Sequence, residues 1–228
     1  MQPNWQFWLN FAVQLAIALS TLGAVLVALF GRWLQEKFAP PLLSLSISNE
    51  RGVKAYPSYL RRNDGTSLET TSRWYHVRLQ NGRRWSPARE TAIYMVDIAT
   101  PDASGNFVSQ SHGTIPLKVR NEGILLSGRT IGPSIEYDLC SVTKSPNKEI
   151  PNILEVHLAV TPTPLLNIVR STQPIRLILT LRAHGTEVDS ESLQVEISWN
   201  GTWSDDEAEM ARHLVVRPVS PARMTTSP

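Results

Sequence analysis

An uninterrupted apolar segment is the feature that most constrains this chain. Residues 7–30 contain no charged side chain. As a helix, these 24 residues would rise about 36 Å, more than the roughly 30 Å hydrocarbon core of a bilayer. Trp5 and Trp8 precede most of the run and Trp33 follows it, as expected for aromatic residues at headgroup level. We therefore expect residues 1–38 to form a short stub and a single transmembrane helix.

A cleaved secretory signal is the alternative interpretation of this segment. Such a signal needs a basic region, an apolar stretch of about 7 to 15 residues and a small-residue cleavage site. Residues 1–4 carry no Lys or Arg, and the run ends in Leu29-Phe30-Gly31-Arg32 rather than in small residues. The pattern therefore favours an uncleaved signal-anchor.

Basic residues indicate the orientation of the span. Arg32 and Lys37 follow it, and nine further Lys or Arg occupy positions 51–89. The positive-inside rule then predicts the N-terminus outside and the following domain in the cytoplasm. A lone cysteine, Cys140, suits a reducing compartment. The expected location is the cell inner (plasma) membrane, which the chain would cross once.

Small residues recur at every fourth position of the predicted span. They are Ala12, Ala16, Ser20, Ala24 and Ala28. Side chains at this spacing share one helix stripe and allow a second backbone to approach closely. The stripe predicts a homo-oligomer formed through the transmembrane helix. The alternative is that it reflects only the high alanine content of such spans.

Short segments with apolar side chains at every second position dominate the rest of the chain. Period two is typical of strands with one buried face. Candidate strands are residues 43–48, 74–81, 91–99, 107–109, 114–119, 135–142, 153–160, 175–183 and 193–199. Pro, Gly and Asn separate them, with no amphipathic helix between. This pattern predicts a mainly β domain over residues 39–203, an antiparallel Ig-like β-sandwich, with residues 49–72 as a long polar loop.

The C-terminal region predicts one more helix and a tail. Ser204-Asp-Asp-Glu207 matches a capping box, so we expect a short helix over residues 204–215. Residues 216–228 are rich in Pro, Ser and Thr and are expected to be disordered.

Residue patterns of the common enzyme classes do not occur. The sequence has no Walker loop, no G-x-G-x-x-G and no G-x-S-x-G. The five histidines lack metal-ligand spacing, so neither a metal nor another cofactor is expected. His76 and His157 fall on the polar phase of their strands and are expected to be exposed or half-exposed. We therefore expect a protein that is not an enzyme.

Arginines and aromatic residues cluster in the polar loop and in the following basic turn. They are Tyr56, Tyr59, Arg61, Arg62, Arg83, Arg84 and Trp85. Such residues suit lipid headgroups, or a nucleotide held by phosphate contacts and base stacking. The alternative is that the Tyr and Trp side chains cover the open end of the sandwich and that the arginines are solvated. No recognised motif favours nucleic acid, so the expected partners are membrane lipids and an unknown protein or small molecule.

One stretch resembles a known group of proteins. Residues 75–83 read Tyr-His-Val-Arg-Leu-Gln-Asn-Gly-Arg, and Pro87-Ala88 and the strand at 93–96 follow. With residues 115–119, 130–133 and 137–140, these motifs resemble bacterial single-span membrane proteins of unassigned activity that carry an Ig-like sandwich after a short anchor. The resemblance covers residues 42–145. It implies this fold and a prokaryotic origin, and no active site.

Three functional hypotheses follow. The first is a single-pass, membrane-anchored, non-enzymatic interaction or sensing protein with a cytoplasmic β-sandwich. The second is a nucleotide-gated membrane effector that oligomerises through its transmembrane helix. The third is a membrane-tethered enzyme, which would need polar side chains to converge in a deep pocket.

Overall fold

A long exposed helix begins the fold. The structure, a computed structural model, describes residues 5–61, 67–83, 86–120, 129–131, 133–147 and 150–219. Helix α1 runs from Trp5 to Phe38, and its segment Trp5–Gly31 is long and apolar enough to cross a membrane. No part of that segment is buried against the rest of the chain. The predicted span is therefore present as a helix, and the helix continues over residues 32–38.

Strands make up most of the remaining described chain. They are β1 (Leu43–Ile47), β2 (Val53–Arg61), β3 (Ser67–Asn81), β4 (Ala88–Pro101), β5 (Phe107–Pro116), β6 (Lys118–Val119), β7 (Arg129–Ile131), β8 (Ser134–Thr143), β9 (Ile153–Val156), β10 (Arg170–Ser171), β11 (Ile175–His184), β12 (Leu193–Trp199) and β13 (Leu214–Pro218). Two short helices interrupt them, α2 (Leu166–Val169) and α3 (Glu207–His213).

The strands pair into two antiparallel sheets. In the first sheet the order is β1-β3-β8-β9-β10, with β2 also paired to β3 and β6 to β8. The second sheet has the order β13-β12-β11-β4-β5, with β7 paired to β4. The β3–β4 turn carries the chain from the first sheet to the second. The mainly β, antiparallel fold predicted from the alternating segments is thus confirmed.

One hydrophobic core lies between the sheets. Val77 and Leu79 from the first sheet and Leu179 and Ile197 from the second are fully buried in it. Each such side chain contributes about 1.5–3 kcal/mol relative to an exposed position. Among the α1 side chains that the structure describes, none belongs to this core. The sandwich therefore has its own core, and the apolar surface of α1 is left uncovered within the described chain.

Residues 49–72 differ from the expected long loop. They contain β2 and the beginning of β3, which pair from Val53–Trp74 to Arg61–Ser67. Within the described residues β2 pairs on one side only. Edge strands commonly carry charged residues and proline, as β2 does at Lys54 and Pro57. These residues weaken the alternating pattern, which explains why the sequence suggested a loop.

The C-terminal region contains the expected helix but ends differently. Asp206, rather than Ser204, caps α3 by accepting a 2.8 Å hydrogen bond from the Glu209 amide. Where the helix end and a disordered tail were expected, β13 pairs with β12. Leu214 and Val216 of β13 are buried in the core. Two apolar residues in alternation are too few to predict a strand from the sequence. The rest of the expected tail, residues 220–228, lies outside the described residues.

Candidate functional site at the junction of helix and sandwich

The predicted basic and aromatic site residues are divided between the two ends of a strand. Tyr56 and Tyr59 lie on β2 and are 69% and 66% exposed. Arg83 lies in the turn after β3. The Arg61 side chain and the whole of Arg62, Arg84 and Trp85 lie outside the described residues.

The length of β3 separates the two tyrosines from Arg83. Tyr59 pairs with Glu69, whereas Arg83 follows Asn81 at the other end of the strand. From residue 69 to residue 81 is 12 steps, or about 40 Å at about 3.3 Å per residue. One nucleotide cannot therefore stack on Tyr59 and bind its phosphate to Arg83. The tyrosines and Arg83 were expected to lie together because the sequence predicted a loop where the β2–β3 hairpin is found.

The tyrosine end carries an acidic neighbour. A hydrogen bond to the Glu69 carboxylate is the main cause that raises the pKa of the Tyr56 phenol. Tyr59 pairs directly with Glu69 across the strands. A carboxylate beside both tyrosines disfavours the binding of a phosphate at this position.

A buried amide organises the opposite end, where α1 meets the sandwich. Asn81 is only 4% exposed. Its Oδ1 accepts hydrogen bonds from the Leu42 amide at 3.2 Å and the Arg83 amide at 3.0 Å. Its Nδ2 donates to the Ser86 carbonyl at 2.7 Å. One side chain thus joins the segment that leaves α1 to both sides of the β3–β4 turn.

Two further hydrogen bonds connect the same segments. The Gly82 amide donates to the Leu42 carbonyl at 2.8 Å, and Arg83 Nη1 donates to the Pro40 carbonyl at 2.8 Å. We call Pro40, Leu42 and the Asn81–Arg83 segment the junction. Because Pro40 follows the last residue of α1 by two positions, Arg83 is held next to the helix end.

The first sheet places a charged cluster beside the junction. Arg78 Nη2 lies 3.0 Å from Glu136 Oε1, and Arg120 bonds the other carboxylate oxygen. Burial alone would raise the pKa of Glu136, but the hydrogen bonds from Arg78 and Arg120 outweigh it and lower this pKa to about 2. Two cations on one carboxylate leave a net positive charge on this three-residue cluster.

A serine–histidine pair lies further along the same outer face. His157 Nε2 is 2.8 Å from Ser141 Oγ, and the Trp74 ring stacks on the imidazole with centroids 4.5 Å apart. His157 was expected to be at least half-exposed, but it is 6% exposed, and Ser141 is 3% exposed. Stacking by Trp74 explains the burial. A substrate could not reach Ser141 in this arrangement.

His76 is the second histidine whose expected exposure is wrong. It is 4% exposed, and its Nδ1 lies 3.1 Å from Asp138 Oδ1, although not in hydrogen-bonding alignment. The alternating pattern placed His76 correctly on the outer face of β3. It could not reveal that the paired strand β8 supplies Asp138 directly opposite.

Acidification is expected to destabilise the protein through His157. Burial lowers the pKa of His157 below its ordinary value of 6.5. The unfolded state therefore binds more protons, so the stability contributed by neutral His157 is complete above about pH 6.5 and decreases as the pH falls toward the folded-state pKa. We expect the melting temperature to fall between about pH 7 and about pH 5, and to fall less in His157→Gln.

The matched control for this prediction is His112→Gln. The His112 side chain is 80% exposed, so His112→Gln should lose as much melting temperature on acidification as the wild type does. Melting temperatures of the full chain in detergent micelles measure the effect. An equal pH dependence in wild type and His157→Gln would contradict it.

The small-residue stripe lies along α1 as the sequence spacing requires. Ala12, Ala16, Ser20, Ala24 and Ala28 are all exposed. The Ser20 hydroxyl donates to the Ile17 carbonyl of its own helix at 2.9 Å, so its donor is satisfied without a second chain. The stripe therefore offers a small, hydrogen-bonded surface to a neighbouring helix.

Neither metal chemistry nor a known relative identifies this protein further. Among the described residues, no group of three or more His, Cys, Asp or Glu side chains is arranged to hold a metal ion. No protein-family model matches the chain, and no curated protein matches it in sequence.

Proposed function

We propose that this chain is a single-pass membrane protein whose cytoplasmic β-sandwich acts as a non-enzymatic interaction or sensing module. The observation that carries the proposal is the uncovered apolar segment Trp5–Gly31, none of which is buried against the chain. So large an exposed apolar surface is unfavourable in water and is stabilised by a bilayer. The flanking Arg32 and Lys37 favour an N-terminus on the outside.

The junction supports a role for the helix in holding the sandwich at the membrane surface. Three hydrogen bonds link Pro40 and Leu42 to residues 81–83, and two more at the Asn81 side chain fix the turn that follows β3. A sandwich attached in this way is held at a defined position next to the membrane. That arrangement suits a module that receives a partner or ligand at the membrane surface.

The enzyme alternative has less support from the described side chains. Ser141 and His157 form the arrangement closest to a nucleophile and base, yet both are buried. Nucleophilic catalysis requires access of the substrate to the hydroxyl. A binding role therefore explains the domain better than a catalytic one.

Membrane fractionation with topology reporters tests the proposed location. We expect the full chain to stay in the membrane fraction after alkaline extraction at its full length. A reporter that is active only in the cytoplasm should be active when fused after Pro228. Activity of an export-dependent reporter at that position would reverse the orientation, and a shortened soluble product would indicate a cleaved signal instead.

Finer features of the proposal rest on the sequence. We propose an Ig-like topology and a bacterial inner-membrane location from the resemblance of residues 42–145, and a homo-oligomer from the stripe on α1. The nucleotide-gated alternative is weakened by the separation of Tyr59 from Arg83 along β3. It would regain support if the full chain in micelles bound cyclic or linear nucleotides in a titration.

A further inference from the structure

The tryptophans of α1 define where the junction lies relative to the headgroups. From Trp5 to Trp33 is 28 steps, or about 42 Å along a helix. This matches the thickness of about 40–45 Å for a bilayer with its headgroup regions. Trp5 and Trp33 can therefore both lie at headgroup level, as amphipathic rings prefer.

The junction then lies close to one membrane surface. Phe38 ends the helix five positions after Trp33, a rise of about 7.5 Å, and the two non-helical steps to Pro40 add at most about 7 Å. Helix tilt shortens this distance further. Since Arg83 bonds the Pro40 carbonyl, its guanidinium lies within about two Debye lengths of the headgroups, where their charge still attracts it.

The side chains at the junction match an anionic membrane surface. Arg83 supplies a cation that uses Nη1 for the Pro40 carbonyl. Leu42 is 58% exposed next to it, an apolar side chain that fits the interfacial region. The Arg78–Glu136–Arg120 cluster adds a net positive charge on the same sheet.

The second sheet contributes the opposite charge at its own β11–β12 loop. That loop contains Glu187, Asp189 and Glu191. Glu187 lies 3.8 Å from Arg89 and Asp189 lies 3.7 Å from Arg182, so three carboxylates face two guanidinium groups. An anionic surface would repel this loop and attract the first sheet. The charge distribution therefore selects which side of the sandwich turns toward the membrane.

We propose that the junction is a docking surface for anionic phospholipid headgroups, with Arg83 contacting phosphate and Leu42 entering the interface. The proposal rests on the membrane location proposed above and adds the lipid class that the domain recognises. Each basic residue near an anionic membrane surface shifts binding about fivefold at physiological ionic strength. Docking would hold the junction end of the first sheet at the membrane and leave Tyr56 and Tyr59, at the far end of β3, accessible from the cytoplasm.

A fluorophore at Leu42 tests the proposal in the full chain. Leu42→Cys provides an exposed thiol for a polarity-sensitive label, because the native Cys140 is fully buried and burial raises its pKa. The protein is reconstituted in nanodiscs of phosphatidylcholine alone or of an equal mixture with phosphatidylglycerol. We expect a blue-shifted, lipid-quenched label in the anionic nanodiscs only, and loss of the shift in about 1 M salt, where the Debye length is about 3 Å.

Three variants separate charge from structure. Arg83→Gln should lower the docked-to-undocked ratio about fivefold in anionic nanodiscs. Arg83→Lys keeps the cation and should dock like the wild type even if the bond to Pro40 is weakened. The matched control Arg170→Gln removes an exposed cation on β10, away from the junction, and should have no effect.

Two outcomes would overturn the proposal. The first is an identical Leu42 label spectrum in neutral and anionic nanodiscs. The second is an equal loss of docking in Arg83→Gln and Arg170→Gln, which would indicate a general effect of net charge. Neither result affects the membrane location itself, which fractionation tests independently.

Discussion

Replacement of Asn81 by alanine is expected to lower the free energy of unfolding by about 2–4 kcal/mol. The change removes an amide that is 4% exposed and makes three hydrogen bonds. Alanine would leave the amides of Leu42 and Arg83 and the Ser86 carbonyl without this partner, and each unsatisfied buried group costs about 1–3 kcal/mol. Water can partly reach the turn, so the expected loss of unfolding free energy is smaller than the sum for three unsatisfied groups.

Asn167→Ala is the matched control for this prediction. Asn167 is exposed on α2, so the same substitution there should change stability by less than about 0.5 kcal/mol. Urea unfolding of the full chain in detergent micelles measures both variants. Asn81→Asp provides a second comparison, since it retains the acceptor for Leu42 and Arg83 but loses the donor to Ser86. Equal stabilities of Asn81→Ala and Asn167→Ala would show that the junction does not stabilise the fold.

Replacement of Gly52 by alanine is expected to destabilise the protein by about 2–4 kcal/mol, for two reasons that add. Gly52 has a φ of +69°, where a side chain costs about 1 kcal/mol. A Cβ at this position would also lie 2.7 Å from Tyr75 Cζ and 2.9 Å from Arg73 Cγ. Both neighbours are buried, at 0% and 3% exposure, so neither can move aside easily, and overpacking costs about 1–3 kcal/mol.

Gly105→Ala separates the two contributions. Gly105 has a φ of +84°, but a Cβ there would meet no atom within 4 Å. Its replacement should therefore show only the backbone cost of about 1 kcal/mol. The difference between the two variants in urea unfolding measures the contact with Tyr75 and Arg73. If Gly105→Ala were as destabilising as Gly52→Ala, the steric argument would fail.

Strict alternation made the interior strands predictable from the sequence. Residues 193–199 place Leu193, Val195, Ile197 and Trp199 on one side, and β12 covers this segment with that side toward the core. A strand with one face in the core needs apolar side chains at every second position, so the apolar positions of its sequence show which side chains are buried. Helix α1 was predictable for a similar reason, because an uncharged apolar run of this length is typical of one continuous helix.

Irregular pairing limited what could be inferred elsewhere. Alternation from Tyr137 and Leu139 would place Cys140 on the outer face, yet Cys140 is fully buried. The pairing of β3 with β8 shifts register between Tyr75 and His76, and such an irregularity changes which side chains face inward. A single sequence gives no sign of where a bulge occurs.

Long-range contacts limited the prediction of the junction in the same way. The basic turn was recognised, but Asn81 was not, because its partner Leu42 is 39 residues away. An asparagine before glycine predicts a turn, but it does not predict which distant segment the asparagine side chain will bind. Only the pairing of β1 with β3 brings the exit of α1 next to Asn81.

The short connection between α1 and the sandwich limits how the two can move independently. The helix ends at Phe38 and Pro40 is already bonded to Arg83, so Ala39 is the one residue between them that remains to act as a joint. The two prolines that follow have φ fixed near about −65°. A rotation of the helix about its axis must therefore turn the sandwich with it or break the Arg83 bond. At the proposed membrane location, a partner that rotates this helix would thereby apply a torque to the domain.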